Sequence, residues 1–370
     1  MKVINFIKKE AVFFISALIA LISAFFVPPS KEYIGYINFS VLGILFALMC
    51  VVQGLARQNV LDIAAQKLIS KTNGLRALVI ALFSLCFFSS MFITNDVALI
   101  TFIPLSITLL QAVEKEKYII PAAALQTTAA NMGSMLTPIG NPQNLFIYEH
   151  YRMSMSEFLL TCLPYTAASY ILLLIMVFVF IKNEPFNVNL ERSKPKSKAL
   201  LTLYMILAVL SILSVLKIVD YRITAALTLV LLLVFDRKTI FTIDWFLLFT
   251  FVMFFIFVGN IARIDAVSAF ISSAVKGREY AAAAIISQFI SNVPCATMLS
   301  GFTDNYKALL IGCDIAGSGT LVASLANLIT FRLYMLHCKK PNAVKYILVF
   351  SVISVALLTA LTLLYIMLNQ

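Results

Sequence analysis

Charged side chains are scarce in this chain of 370 residues. Asp, Glu, Lys and Arg make up only 12% of the sequence, 61% of it is hydrophobic, and the mean hydropathy is +0.97. This composition supplies too little polar surface to cover a water-soluble globule of that size. Apolar runs recur from Ala11 to Leu368 without a long soluble stretch between them. The scarcity of charge therefore predicts a protein that lies in a lipid bilayer and has no separate soluble domain.

Residues that bind metals or act as nucleophiles are also scarce. The two histidines, His150 and His337, fall at predicted ends of membrane spans, and the six cysteines form no C-x-x-C pair. We find no H-E-x-x-H motif and no serine with a histidine at the same depth. We therefore expect no metal site, no cofactor and no catalytic residue, and interpret the cysteines as small apolar side chains. The net charge of +11 does not indicate a nucleic-acid partner, because Lys and Arg are spread over the loops.

Hydropathy predicts about nine spans long enough for a hydrocarbon core about 30 Å thick. The first span is retained rather than cleaved as a signal peptide, because no A-x-A-like site follows it. Two more apolar segments, 75–112 and 278–303, are either pairs of full crossings or re-entrant hairpins, and we favour hairpins. The predicted spans are 11–28, 37–54, 118–147 (interrupted), 158–181, 199–217, 221–236, 242–260, 306–336 (interrupted) and 343–368.

The distribution of positive charge predicts the orientation. With the N-terminus inside, most of the 28 Lys and Arg residues fall on inner loops, as the positive-inside rule requires. The longest polar stretch, 182–198, then becomes a cytoplasmic linker. We expect a multi-pass protein of the cytoplasmic (inner) membrane of a prokaryote, with its N-terminus inside and its C-terminus outside.

Three weak internal matches occur in the same order in the two halves. GLARQNVLDIAAQKLI resembles GNIARIDAVSAFISSAV, FITNDVALI resembles FISNVPCAT, and TPIGNPQNLF aligns without gaps to TLVASLANLI. An odd number of crossings lies between the halves, so the second half has the opposite topology, as in many secondary transporters. We predict a first inverted repeat at 1–181, a linker and connecting helix at 182–220, and a second inverted repeat at 221–370. Each repeat holds one hairpin and one broken helix.

Breaks in spanning helices are expected to mark the binding site. Proline removes a backbone donor and glycine permits positive φ, so a continuous helix through the segment from Gly133 to Pro142 is improbable. The second copy breaks at Gly317-Ser318-Gly319, a pattern that close helix packing also explains. In a membrane such breaks are tolerated where they are buried in protein or line a wet cavity. Exposed carbonyls then hold a cation, and the N-terminus of the next half-helix faces an anion.

Asp96 and Asp314 are the only acidic residues well inside apolar segments. An intramembrane carboxylate is costly and is by default a candidate for cation binding or protonation. The alternatives are a capping residue in a solvated turn for Asp96 and a structural hydrogen bond for Asp314. Arg57 and Arg263 begin amphipathic stretches, which we interpret as interfacial helices with snorkelling arginines.

The segments TNDVALITFIPL and NMGSMLTPIGNPQNLFIY resemble the ion transporter superfamily. The resemblance is to the bacterial citrate transporter, arsenite permease and sodium/proton antiporter-like group, which is related to the divalent anion:sodium symporters. It covers essentially the whole chain and is weaker at SNVPCATMLS and DIAGSGTLVASLANL. It implies Ser-Asn-Thr hairpin tips that pair with broken helices to bind sodium and a carboxylate, and an elevator motion. Asp96 and Val293 replace the final Thr of that motif, so the resemblance does not imply dicarboxylate specificity.

We therefore expect a secondary active transporter, not an enzyme, with alternating access of elevator type around a midplane site. Its partners would be a small anionic solute, either an organic carboxylate or an inorganic oxyanion, the lipid bilayer, and Na⁺ or H⁺ as coupling ion. A homodimer is a candidate assembly. The alternatives are a sodium/proton antiporter or an arsenite/antimonite efflux permease, and, with less support, a channel or an intramembrane enzyme.

The predicted binding residues come from the two tips and the two breaks, with a candidate Na⁺ position near Asn95, Asp96 and Asn292. The full set is Thr94, Asn95, Asp96, Asn131, Gly133, Ser134, Thr137, Pro138, Gly140, Asn141, Gln143, Asn144, Ser291, Asn292, Thr297, Asp314, Gly317, Ser318, Gly319, Thr320, Ser324 and Asn327.

Overall fold

A computed structural model describes residues 10–70, 72–185 and 194–369. Within these ranges the chain forms α-helices and one short 3₁₀-helix, and no β-strand. Six of the helices are long and apolar enough to cross a membrane. These observations confirm the predicted all-α, polytopic architecture. The basic N-terminal residues 1–9 and residues 186–193 of the predicted linker lie outside the described residues.

The first half of the chain alternates long helices with short ones. A 3₁₀-helix at Glu116–Tyr118 leads into the seventh helix. The helices are α1 (Ala11–Phe26), α2 (Glu32–Tyr36), α3 (Phe39–Arg57), α4 (Val60–Ile69), α5 (Leu75–Ser89), α6 (Asn95–Ala112), α7 (Ile119–Ser134), α8 (Pro142–His150) and α9 (Met155–Phe180).

The second half repeats this order of elements after a connecting helix, α10 (Lys198–Val215). In each half a pair of helices joined at a tight tip is followed by a pair separated by a non-helical break. The helices are α11 (Tyr221–Phe235), α12 (Arg237–Thr242), α13 (Trp245–Ala262), α14 (Asp265–Val275), α15 (Glu279–Ile290), α16 (Asn292–Leu299), α17 (Tyr306–Ala316), α18 (Leu325–His337) and α19 (Ala343–Leu368).

The two tip-joined pairs differ in length. The second arm of the first pair, α6, has 18 residues, whereas its counterpart α16 has 8. An α-helix rises about 1.5 Å per residue, so α6 alone is nearly as long as the hydrocarbon core is thick. The re-entrant path of both pairs stays a prediction.

Polar caps decide where the long helices begin. Asn342 precedes α19, and its side chain accepts a hydrogen bond from the Lys345 N–H at 2.9 Å. This helix spans 343–368, as predicted. Asp244 likewise accepts from the Leu247 N–H at 3.1 Å, so the span expected to begin at residue 242 begins at Trp245.

The two halves pack into one another. Helix α1 of the first half lies on α13 of the second, and α11 of the second half lies on α3 of the first. The arms of the tips and breaks cross over in the same way, with α6 against α18 and α16 against α8. Each half therefore buries part of its apolar surface against the other.

Arg57 and Arg263 are partly exposed, with side chains 34% and 47% accessible, and each also forms an ion pair that the sequence did not predict. The Arg57 guanidinium donates to Thr239 Oγ1 at 2.8 Å and pairs with Asp236 at 3.5 Å, both at the start of α12. Arg263 pairs with Glu32 of α2. Each arginine therefore joins a long helix of one half to the short second helix of the other through a charge-assisted contact.

Candidate functional site

Each hairpin tip is hydrogen-bonded to the break of its own half. The backbone N–H of Asn95, the first residue of α6, donates to the Gly140 carbonyl at 3.2 Å. The N–H of Asn292, the first residue of α16, donates to the Ala323 carbonyl at 3.0 Å. Gly140 and Ala323 are equivalent in the ungapped sequence match, so the two contacts correspond. A tip and its break therefore form one unit in each half.

A second pair of equivalent contacts ties the same segments together. The Thr137 hydroxyl donates to the backbone carbonyl of Met91 at 2.5 Å, and the Thr320 hydroxyl donates to that of Gln288 at 3.1 Å. The threonines are equivalent in the sequence match, and their acceptors each lie four residues before a tip asparagine. The weak internal match therefore corresponds to matching contacts in space. Its inverted orientation in the membrane stays a prediction.

Two of the predicted site glycines allow close backbone approaches. A Cβ atom on Gly133 would lie 1.9 Å from the Phe87 carbonyl oxygen, so only glycine lets α7 lie this close to α5. A Cβ on Gly140 would lie 2.2 Å from the Ser134 carbonyl oxygen, where the first break folds back on the end of α7. These glycines shape the break and place its polar side chains.

Asn131, near the end of α7, bridges the first tip and the second break. Its side-chain oxygen accepts from Asn95 Nδ2 at 3.1 Å and from Ser324 Oγ at 3.2 Å. Its amide nitrogen donates to Asn327 Oδ1 at 2.8 Å and to the Gly317 carbonyl at 3.0 Å. All of its hydrogen-bonding capacity is used, as burial of an amide requires.

Asp314, near the end of α17, reaches the first break. One carboxylate oxygen, Oδ1, accepts from Gln143 Nε2 at 3.2 Å and from Asn141 Nδ2 at 3.4 Å. The residue is 2% exposed, and its other oxygen, Oδ2, has no hydrogen-bond partner among the described residues. Two neutral amides compensate a buried carboxylate only in part.

Asn131 and Asp314 are equivalent residues that exchange partners between the halves. Each lies six residues before a matched threonine. Asn131 contacts Ser324, which directly precedes α18, and Asp314 contacts Asn141, which caps α8. The two breaks therefore meet in one polar region. At this equivalent position the first half has a neutral amide and the second half a carboxyl group.

Oxygen atoms without donors collect in this region. Besides Asp314 Oδ2, Asn144 Oδ1 and Ser318 Oγ are buried and lack a partner among the described residues. The amide nitrogen of Asn144 donates hydrogen bonds to backbone carbonyls at the first break, at 3.2 to 3.4 Å. Acceptors without donors are the groups that a cation or a proton would satisfy.

Gln288 belongs to the site and is missing from the predicted set. Its side-chain oxygen accepts from the Thr320 N–H at 2.7 Å, and its nitrogen donates to the Ala316 carbonyl at 3.2 Å. It thus forms hydrogen bonds with backbone groups that have no helical partner because the helix is interrupted at the second break. A Cβ on Gly319 would collide with it, at 1.9 Å. A glutamine in the otherwise apolar run AAAAIISQFI was the signal that could have identified it.

The tip side chains lie at the edge of this network. Asp96 is half-buried in the first turn of α6, no described residue donates a hydrogen bond to its carboxylate, and Asp244 at the start of α13 interacts with it electrostatically. Ser291 has φ +74° and ψ 156°, a backbone conformation that residues other than glycine rarely adopt. Thr94 at the other tip has an ordinary φ of −54°.

Some of the predicted residues are not brought into contact with the others. The Thr297 hydroxyl donates to the Val293 carbonyl of its own helix at 3.0 Å. Pro138 is buried in the first break and carries no donor. The structure joins the following predicted residues through hydrogen bonds: Asn95, Asn131, Ser134, Thr137, Gly140, Asn141, Gln143, Asn144, Asn292, Asp314, Gly317, Thr320, Ser324 and Asn327.

Paired charges lie outside this region. Glu184, beyond the end of α9, accepts from Lys115 at 2.5 Å, Lys117 at 2.8 Å and Tyr118 at 2.7 Å, and these hydrogen bonds lower the pKa of Glu184 to about 2. No Lys or Arg among the described residues is hydrogen-bonded to the tip and break side chains, and the described residues include no group of three or more His, Cys, Asp or Glu suited to a metal. The polar groups present in this region are the Asp314 carboxyl group, amides, hydroxyls and backbone carbonyls.

The chain is similar to known membrane transporters over most of its length. The sequence pattern of a family described as citrate transporter matches residues 3–306. An uncharacterized transporter of Methanocaldococcus jannaschii is 31% identical over 325 residues, which cover 86% of this chain and 88% of that protein. An inner membrane protein of Escherichia coli is 27% identical over 323 residues, 85% of this chain and 86% of the relative. A silicon efflux transporter of Oryza sativa subsp. japonica is 31% identical over 144 residues, 39% of this chain and 29% of that protein.

Proposed function

Because this chain belongs to the citrate transporter family, we propose that it is a secondary active transporter of an anionic solute, coupled to Na⁺ or H⁺. Family membership confirms the resemblance found in the sequence, and it makes the protein a multi-pass membrane transporter rather than an enzyme. The proposal has three parts: the solute is an anion, transport is coupled to Na⁺ or H⁺, and the motion is of elevator type.

The buried carboxyl group of Asp314 carries the proposal. It lies where the two breaks meet, with one oxygen bonded to two amides and the other without a donor among the described residues. Charged, it would repel an anion in the same region by about 4 kcal/mol at 4 Å and an effective dielectric constant of 20. An anion can therefore enter favourably only together with a cation or a proton that neutralises Asp314. This requirement would couple transport of the anion to transport of that cation or proton.

The anion itself would be held by neutral donors. Helices α8 and α18 both begin at the breaks, and their N-termini carry partial positive charge. Asn141 and Ser324, the residues directly before these helices, contact the Asp314 and Asn131 side chains. A rearrangement that opens the tip-to-break hydrogen bonds would release these donors to a solute, and closing them again would release the solute.

The grouping of the elements supports the proposal of alternating access of elevator type. Helices α1, α3, α10, α11 and α13 pack on one another and are joined by the Arg57 and Arg263 ion pairs, which suits a fixed scaffold. The two tips and two breaks hydrogen-bond among themselves, which suits a moving unit. The amphipathic helices α4 and α14 connect the two groups. The membrane of operation would be a prokaryotic inner membrane with the N-terminus inside.

A substrate panel in proteoliposomes tests the proposal. Reconstituted protein would be loaded with one solute, and counterflow of the labelled solute would be measured for citrate, succinate, arsenite, silicic acid and Na⁺. We expect saturable counterflow of at least one carboxylate or oxyanion, dependent on Na⁺ or on a pH gradient. Linear flux that does not saturate would indicate a channel, and exchange of Na⁺ for protons without any solute would indicate an antiporter.

Efflux of a metalloid hydroxide is a second candidate function. A relative is a silicon efflux transporter, another is named as the putative transporter arsB of Dictyostelium discoideum, and the site combines amides and hydroxyls with no hydrogen-bonded Lys or Arg among the described residues. Silicic and arsenous acid are neutral near pH 7, so they meet no repulsion from Asp314 and can donate to its open oxygen. In this case arsenite or silicic acid would show counterflow and the carboxylates would not.

A further inference from the structure

A polar cavity lined by none of the tip and break residues lies where the ends of α3 and α11 meet the starts of α10 and α12. Its volume is about 500 Å³, within the range of sites that bind small ligands. The C-terminal end of α3 and the first residues of α12 form two of its walls, and the start of α10 forms a third. Its lining includes Arg57, Gln58, Lys196, Asp236, Arg237 and Lys238.

The cavity carries an excess of positive charge. Its only acidic lining residue, Asp236, is already engaged by Arg57 at 3.5 Å, by the Tyr204 hydroxyl at 2.9 Å and by Thr239 at 3.0 Å. Three lining cations remain, Lys196 from the start of α10 and the adjacent pair Arg237 and Lys238 of α12, and no described acidic residue forms an ion pair with them. Their charges therefore favour an anionic occupant.

A buried amide completes the wall between these cations. Gln58 is 4% exposed, and its side-chain oxygen accepts from the Ser197 N–H at 2.8 Å. This bond fixes the orientation of the side chain, and no described residue accepts a hydrogen bond from its amide nitrogen. Since Gln58 lines the cavity and its N–H groups have no acceptor among the described residues, they can donate to an anion there.

The surroundings of the cavity favour a lipid over a soluble anion. Val234 and Phe235, which also line it, are 70% and 62% exposed at the end of the apolar helix α11. A polar cavity directly beside exposed apolar side chains is suited to an amphipathic ligand, with its headgroup among the cations and its acyl chains along the helix. All the lining cations belong to the set predicted to face the cytoplasm, where anionic lipid headgroups attract them.

We propose that this cavity binds the phosphate headgroup of an anionic phospholipid. The phosphate accepts from Arg237, Lys238, Lys196 and Gln58, and the bound lipid joins the ends of α3, α10 and α11 at the membrane surface. The Arg57 and Asp236 pair forms the back wall and stays intact. The site is independent of the transported solute, so it holds whichever function the tips and breaks perform.

Native mass spectrometry of the purified full-length chain tests this proposal. Detergent-solubilised protein would be titrated with phosphatidylglycerol, with phosphatidylcholine and with inorganic phosphate, and the midpoints of binding compared. We expect phosphatidylglycerol to bind in preference to phosphatidylcholine. The double variant Arg237→Gln/Lys238→Gln should weaken phosphatidylglycerol binding by roughly tenfold or more, since each basic residue near an anionic headgroup contributes substantially.

A matched variant separates a specific site from general charge. Lys339→Gln/Lys340→Gln removes the same charge from the exposed turn between α18 and α19 and should leave the midpoint unchanged. Lys196→Gln, on a different element, should weaken binding in the same direction as the α12 variant. Equal losses for the two double variants, or equal affinity for phosphatidylcholine, would overturn the site. Inorganic phosphate binding as tightly as phosphatidylglycerol would make it a soluble-anion site and overturn the lipid assignment.

Discussion

Replacing Asp314 by asparagine removes the carboxylate at the meeting point of the two breaks and keeps the size of the side chain. A monovalent cation at about 4 Å from the carboxylate gains about 4 kcal/mol at an effective dielectric constant near 20. Loss of that attraction corresponds to a decrease in cation affinity of roughly 10² to 10³-fold. If a proton is the coupling ion, the loss is complete, because an amide does not titrate.

The structure also predicts the effect on stability. In the wild type, Asp314 Oδ2 has no donor among the described residues, so a charged carboxylate there opposes folding. The variant should therefore unfold at the same or a higher temperature than the wild type when the coupling ion is absent. The wild type should be stabilised by the coupling ion through mass action, by about 2.7 kcal/mol at 100 times the dissociation constant, and the variant should not.

Two measurements on the same preparations test the role of Asp314 in coupling. Thermal unfolding would be recorded in NaCl and in a salt of a larger organic cation at equal ionic strength, and at several pH values, and solute uptake would be followed in proteoliposomes under the same gradients. Asp304→Asn is the control, because it makes the same chemical change at an exposed carboxylate outside the site. An Asp314→Asn protein whose uptake still depends on Na⁺ or pH as the wild type does would refute the coupling role.

Three further predictions concern backbone geometry and a surface ion pair. Ser291→Gly should raise the unfolding temperature, by the equivalent of about 1 kcal/mol, because its φ of +74° suits glycine, whereas Thr94→Gly at the equivalent tip should lower it. Gly133→Ala should lower stability by about 1–3 kcal/mol or prevent folding, since its Cβ would overlap a backbone oxygen of α5, while Gly35→Ala, with nothing within 4 Å, should be neutral or slightly stabilising. The pKa of Glu184 is lowered from 4.5 to about 2, so its stabilisation of the fold is complete above pH 4.5 and is lost as the pH falls towards 2. The difference in unfolding temperature between wild type and Glu184→Gln should therefore shrink over that interval. A constant difference would contradict this account.

The elements of the fold could be predicted because their signals are local. The apolar runs predicted the long helices, and α19, expected at 343–368, begins directly after its cap Asn342. Proline and glycine located the first break, and the weak internal match located the second. Each of these inferences depends on a few neighbouring residues and on the rule that backbone polar groups in a membrane need partners.

The contacts between the halves could not be predicted in this way. Nothing in a linear pattern shows that Asn131 bonds to Asn327 rather than to the break of its own half, or that Asp314 reaches Asn141. Arg57 was assigned to the interface because a single amphipathic stretch does not reveal a partner in α12. Gln288 was overlooked because one polar residue in an apolar run is ambiguous until the backbone groups it serves are known.

The exchange of partners between the breaks also constrains how the protein is made. Asn131 bonds to residues 186 to 196 positions later in the chain, so the amide has none of these partners while the first half alone has been inserted. The first break should therefore stay hydrated or loosely packed in the bilayer until α17 and α18 have been inserted. Assembly of the site is thus a late event in biogenesis, and a chain truncated after α9 should be recognised as incomplete by membrane proteases.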